Sequence, residues 1–144
     1  MSHEPECQEP RAVVLALFAA FGAGDLAGVL ALVSPEAEWR IPGPELIPFA
    51  GTHRGPEGVR HYLESLVGTL EFLAFELLVT LSQGEQVVVQ GREVCRVRRN
   101  GARFENRWLS LWRVRNGLVV SLEMYEDTAD TVAALLQETA ERDS

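Results

Sequence analysis

Acid-base chemistry near neutral pH needs an imidazole, a carboxyl group with a displaced pKa, or an activated nucleophile. The 144-residue chain places few such groups suggestively. His53 stands in a Pro- and Gly-rich segment, and its imidazole is able to act as base or acid. A solvent-facing loop histidine is the plainer alternative; His61, beside Arg60, reads as surface. Glu76 is the single charge among the alternate residues Phe72, Ala74 and Leu78. Buried there, its carboxyl would hold a raised pKa and suit general acid work, whereas an edge position or a dimer contact would leave it ordinary. Asp127 follows Tyr125 by two residues, where a carboxylate can serve chemistry or simply cap the next helix. Tyr62 offers a phenolic donor, with core packing the equal alternative.

Composition removes several reaction classes. All 13 basic residues are Arg, so neither a Schiff-base lysine nor a phosphate-loop lysine exists. The formal charge of −8 disfavours nucleic acid and anionic membranes as partners. Cys7 and Cys95 have neither the number nor the spacing of a disulfide framework or a zinc site, so no metal or other cofactor is expected and a reducing cytoplasm is the simplest setting. The acidic start MSHEPECQEP does not read as a signal peptide, and no apolar run reaches the ~18 residues of a membrane span.

The elements that must position these groups follow from periodicity. Residues 1–9 read as a flexible N-terminal segment and 10–142 as one domain. Pro10 opens a helix rich in Ala, Leu and Val that Gly22 and Gly24 stop. Asp25 caps a second helix over Leu26–Val33, closed by Pro35. A short strand is predicted at Ala37–Ile41, then a loop of about a dozen residues over Gly43–Arg54. Pro56 starts a third helix with Val59, Tyr62, Leu63, Leu66 and Val67 on one face. Phe72–Leu81, Gln86–Arg98, Arg103–Arg115 and Leu118–Glu126 read as strands. Ser82-Gln83-Gly84, Asn100-Gly101 and Asn116-Gly117 lie between them, so the last three form an antiparallel meander. A terminal helix is predicted over Thr128–Arg142. Helices first and a curved sheet after them predict an α+β domain, because a one-faced sheet must hide its apolar side beneath helices.

Glu38-Trp39-Arg40-Ile41-Pro42-Gly43 and Phe49-Ala50-Gly51-Thr52-His53-Arg54-Gly55-Pro56-Glu57-Gly58-Val59 resemble the first strand, loop and third helix of SnoaL-like proteins. Asn106-Arg107-Trp108, Trp112-Arg113-Val114-Arg115-Asn116-Gly117 and Tyr125-Glu126-Asp127-Thr128-Ala129 resemble the group's two last strands and tail. The group belongs, with ketosteroid isomerase, to the nuclear transport factor 2-like superfamily. The resemblance covers roughly residues 11–135. It implies a cone-shaped sheet packed on N-terminal helices (a cystatin-like α+β barrel), a hydrophobic pocket under the helices, and a homodimer through the sheet.

Because the superfamily hosts isomerases, cyclases, dehydratases, hydrolases and binding modules, the pocket residues must choose among them. Strand alternation puts Phe104, Asn106, Trp108, Ser110, Trp112 and Val114 on one face, which becomes the implied cavity wall with Trp39 and Tyr62. The family's usual acid and His positions fall on Met124 and Ser110, neither of which is a base near neutral pH. Arg92 matches the arginine of the related epoxide hydrolases, with Val94 and Met124 where the acids would align; Glu93 is expected to point away from Arg92's face. Arg103, Arg107, Arg113 and Arg115 are expected on the outer face. The primary expectation is therefore a binder of a small, apolar, cyclic molecule through Trp39, Tyr62, Arg92, Asn106, Trp108, Ser110, Trp112 and Met124, without the usual acid-base pair. The alternative is a cofactor-independent isomerase, cyclase or hydrolase using His53, Glu76 or Asp127.

Overall fold

The computed structural model describes residues 9–138, so Cys7, residues 1–8 and the last part of the expected terminal helix, residues 139–142, lie outside the described residues. Helix α1 (Pro10–Gly22) begins with Pro10 in its first turn. It ends where Gly24, at φ +73°, takes the left-handed conformation that lets Asp25 N–H return to the Ala20 carbonyl at 2.9 Å. The Asp25 side chain accepts from Gly28 N–H at 2.9 Å and starts α2 (Leu26–Leu30). That helix is shorter than its apolar spacing suggested, because the chain becomes extended at Val33. β1 spans Val33–Ile41 and absorbs exposed Pro35 through a register shift between Val33 and Glu38.

Two further differences come from pairing. The end of the expected loop is a short strand, β2 (Gly51–Arg54), antiparallel to β1 with Trp39 opposite His53. The sheet is also mixed: β1 lies parallel to β6 (Leu118–Glu126). Between them in sequence come α3 (Gly55–Thr69), β3 (Leu70–Gln83), β4 (Gln86–Val97) and β5 (Arg103–Arg115), with α4 (Ala129–Leu136) at the end. The strand order is β2-β1-β6-β5-β4-β3, an open, curved sheet with the helices on one face, which is the α+β cone architecture expected. Asn116 and Gly117, at φ 54° and 79°, close the β5–β6 hairpin as the Asn-Gly pair predicts. Among the described residues no helix is long and apolar enough to cross a membrane.

The core lies between the sheet's concave face and the helices. β5 alternates strictly, with Phe104, Asn106, Trp108, Ser110, Trp112 and Val114 buried and the intervening arginines exposed. α3 buries Val59, Tyr62, Leu63 and Leu66 but leaves Val67 exposed. The β4–β5 turn ties the last helix down: Asn100 Nδ2 donates to the carbonyls of Ala134 (2.9 Å) and Gln137 (2.8 Å), while its Oδ1 accepts from Ala102 N–H. These contacts satisfy helix-end carbonyls that would otherwise lack partners.

Candidate active site

β3 carries two irregularities of register, between Phe72 and Ala74 and between Leu77 and Val79. A bulge adds a residue and reverses which side chains face the core. Phe72 and Phe75, three apart, consequently both line the cavity. Glu76 is turned to the outer face, where it meets Arg92 at 2.8 Å; Arg92 Nε also donates to Glu105 at 2.7 Å. The expectation that Glu76 or Arg92 serves a pocket therefore fails on geometry, since both belong to a surface ion-pair network on the convex side. Arg92 is excluded by alternation in β4, whose inward set is Val87, Val89, Gly91, Glu93, Cys95 and Val97.

Glu93 is thus brought inside. It stands directly opposite Asn106 on β5, while Glu126, at the end of β6, stands opposite Trp108, two residues further along β5. Asn106 Nδ2 donates to both carboxylates, at 3.3 Å to Glu93 and in a short contact to Glu126. The two acids come from strands far apart in sequence and share one amide between them.

Around this polar end the wall is aromatic. Phe18 of α1 stacks on Trp108 with ring centroids 5.7 Å apart and meets Trp112 edge-on at 5.5 Å. Trp39 packs edge-on against Trp112 (5.5 Å) and Tyr62 (5.9 Å). Trp108 lies directly over Gly91, where an added Cβ would come within 2.1 Å of the indole ring. Pro42, Ile47 and Phe49 from the β1–β2 connection close one side. The space between these groups is about 80 Å³ and partly open to solvent, smaller than the roughly 150 Å³ cavity that admits a benzene ring.

No Arg or His lines this space. Burial, reinforced by the charge of Glu126, pushes the Glu93 carboxyl up to about 7, and burial also raises Glu126. Glu93 is therefore placed to exchange a proton near neutral pH, the condition for a group that both gives and takes one. Burial and the same two acids raise the Tyr62 phenol, which stays protonated and can only donate to an anionic guest. Burial likewise raises the Cys95 thiol, leaving it unreactive. Among the described residues no cluster of three or more His, Cys, Asp or Glu is arranged to hold a metal.

The other sequence candidates are distributed around this centre. Trp39, Tyr62, Asn106, Trp108, Trp112 and Met124 line the cavity. Ser110 does not: it is fully buried, donates to the Val89 carbonyl (3.2 Å) and accepts the Trp112 indole N–H (2.8 Å). His53 is outside the lining, its Nε2 donating to the Phe49 carbonyl at 3.0 Å while its ring rests 5.1 Å from that of Tyr62. Asp127 accepts from Ala129 N–H at 3.0 Å, at the start of α4. Sequence reasoning missed Glu93 and Glu126, although a signal existed. Glu93 shares parity with Val87, Val89, Cys95 and Val97, as Glu126 does with Leu122 and Met124.

Comparison with known proteins supports the architecture. A nuclear transport factor 2-like protein from Burkholderia xenovorans is similar over 89% of this chain and 96% of its own, with 36% identity and a TM-score of 0.81. One from Burkholderia thailandensis matches 89% of this chain and 98% of its own at 30% identity and a TM-score of 0.80. TerC, crystallised with polyporic acid, matches over 90% of this chain and all of its own length, at 25% identity and a TM-score of 0.78. No curated protein matches the chain. The SnoaL-like domain family matches residues 14–122, and the chain belongs to that family.

Proposed function

We propose that the chain binds a small, largely apolar, ring-containing molecule and moves a proton on it through Glu93 and Glu126, as a cofactor-independent isomerase, cyclase or hydrolase. The observation that carries this reading is the pair of carboxyls joined by Asn106 in a largely apolar, aromatic-rich cavity. It reverses the order of the two sequence readings. The acid-base pair missing from positions 110 and 124 has a counterpart on β4 and the end of β6. In the proposed reaction the ionised carboxylate accepts the guest's acidic proton, its protonated neighbour returns one at a second position, and Tyr62 donates to the charge that develops between the two steps. The likeness to TerC, which was crystallised with polyporic acid, agrees with a small-molecule guest.

The test is solvent-deuterium exchange into a panel of cyclic ketones and phenols, followed by proton NMR. Wild type should accelerate exchange for a subset, and Glu93→Gln and Glu126→Gln should each lower that rate by about 10²-fold or more. Exchange that persists in both variants would leave the carboxyl pair without a catalytic role.

The convex face supports a homodimer through the sheet. Leu109 and Tyr125 are 44% and 53% exposed there, amid the salt bridges of Arg40 and Arg92, a mixture that suits an interface between copies. Light scattering at micromolar concentration should return twice the chain mass, and a monomer would refute it.

A further inference from the structure

Three tryptophans line the cavity, and their indole N–H groups are not equivalent. That of Trp112 donates to Ser110 Oγ at 2.8 Å. Those of Trp39 and Trp108 are buried with no hydrogen-bond partner, in residues only 2% and 4% exposed. The Trp108 N–H lies near enough to Glu93 to favour its charged form but outside hydrogen-bond geometry. An enclosed donor without an acceptor carries the full cost of its lost hydration, and native proteins leave few such groups. An aromatic ring alone could have been supplied by phenylalanine, as it is at the partly buried Phe18 and Phe75 in the same wall.

The unmet donors define what is missing. The remaining polar groups of the lining are the two carboxyls, Asn106, Tyr62 and two threonines. None of these groups meets either indole N–H in hydrogen-bond geometry, so an oxygen of a bound guest is an acceptor the site leaves room to use. We infer that Trp39 and Trp108 are ligand-recognition residues whose indole N–H groups donate to oxygen atoms of the bound molecule, so that the site selects ring compounds carrying carbonyl-type oxygens over hydrocarbons of the same shape. This rests on the pocket reading above and specifies the chemical class of its guest. The carboxyls then face the guest's acidic hydrogens while the indoles hold its oxygens, which fixes one orientation and rejects an apolar isostere.

Acetophenone and ethylbenzene test the idea, because they share size and ring and differ by one carbonyl. Protein labelled with ¹⁵N at the tryptophan indoles is titrated with each, the three signals being assigned by Trp→Phe variants. Acetophenone should bind about tenfold more tightly, the effect of one added hydrogen bond. It should shift the Trp39 or Trp108 indole proton downfield while that of Trp112 stays in place, and ethylbenzene should shift none of them in this way. Trp39→Phe and Trp108→Phe, each checked for an intact melting transition, should reduce the preference for the ketone and leave ethylbenzene affinity within about twofold. Equal affinity for both probes, or a ketone preference that survives in both variants, overturns the inference while the pocket reading stands. Binding of neither probe overturns the pocket reading and the inference with it.

Discussion

Arg92 and Glu93 are neighbours on one strand with opposite surroundings. Arg92, on the convex side, is met by two carboxylates at 2.7 and 2.8 Å within reach of solvent. Glu93, on the concave side, faces another acid, an amide and aromatic rings, with no cation in the lining. The outer pairs satisfy each other, so their charges are inexpensive and contribute little beyond solubility and contact. The inner acids are held where ionisation is disfavoured, which costs stability and keeps a proton available near pH 7. Charge on this sheet therefore ionises readily on the face that supplies a counter-ion and reluctantly on the face that does not.

The largest way to break the concave side is to fill the space that Trp108 occupies. Gly91→Ala forces a Cβ against that ring, on which Phe18 also stacks, and should cost about 3 kcal/mol in urea unfolding. Val88→Ala, in the same strand on the other face, should cost much less.

Next in size is the pH dependence. The folded pKa of Glu93 lies above its unfolded value, so the native state holds more protons in between and stability must fall as pH rises from about 4.5 to about 7. Glu93→Gln should remove of order 2 kcal/mol of that decline, read as the change in melting temperature between pH 5 and pH 8. A profile identical to wild type would mean that Glu93 is not desolvated. Ser110→Ala sharpens the contrast among the indoles by leaving Trp112 without its acceptor, and should cost about 1–2 kcal/mol by denaturant titration. Smallest is Arg92→Ala on the outer face, expected to change stability by about 1 kcal/mol or less, and less again in high salt.

Much of the fold was legible because it rests on local rules. Pro10 and Asp25 begin helices, Asn116-Gly117 makes a hairpin, and β5 alternates without interruption, so its buried set could be read from parity alone. The candidate site was legible only where a strand stays regular. Trp39, Asn106 and Trp108 were placed on the right face, but the bulges in β3 reversed Glu76, and matching Arg92 to a relative's arginine hid the inward parity of Glu93. Ser110 stood on the correct face yet serves another side chain instead of the cavity, a distinction that parity does not contain.

The chain's own order of residues determined which segments become helices and strands, how the hairpins close and that aromatic side chains would share one side of β5, since these depend on neighbours a few positions away. Tertiary structure alone decided that Glu93, Asn106 and Glu126 meet, that Arg92 finds its partners outside, and that Ser110 silences one indole while two remain without acceptors. Those outcomes depend on register between strands separated by tens of residues and on bulges that invert it. Pairing across a curved sheet is set by the packing of the whole core and not by any local stretch of sequence.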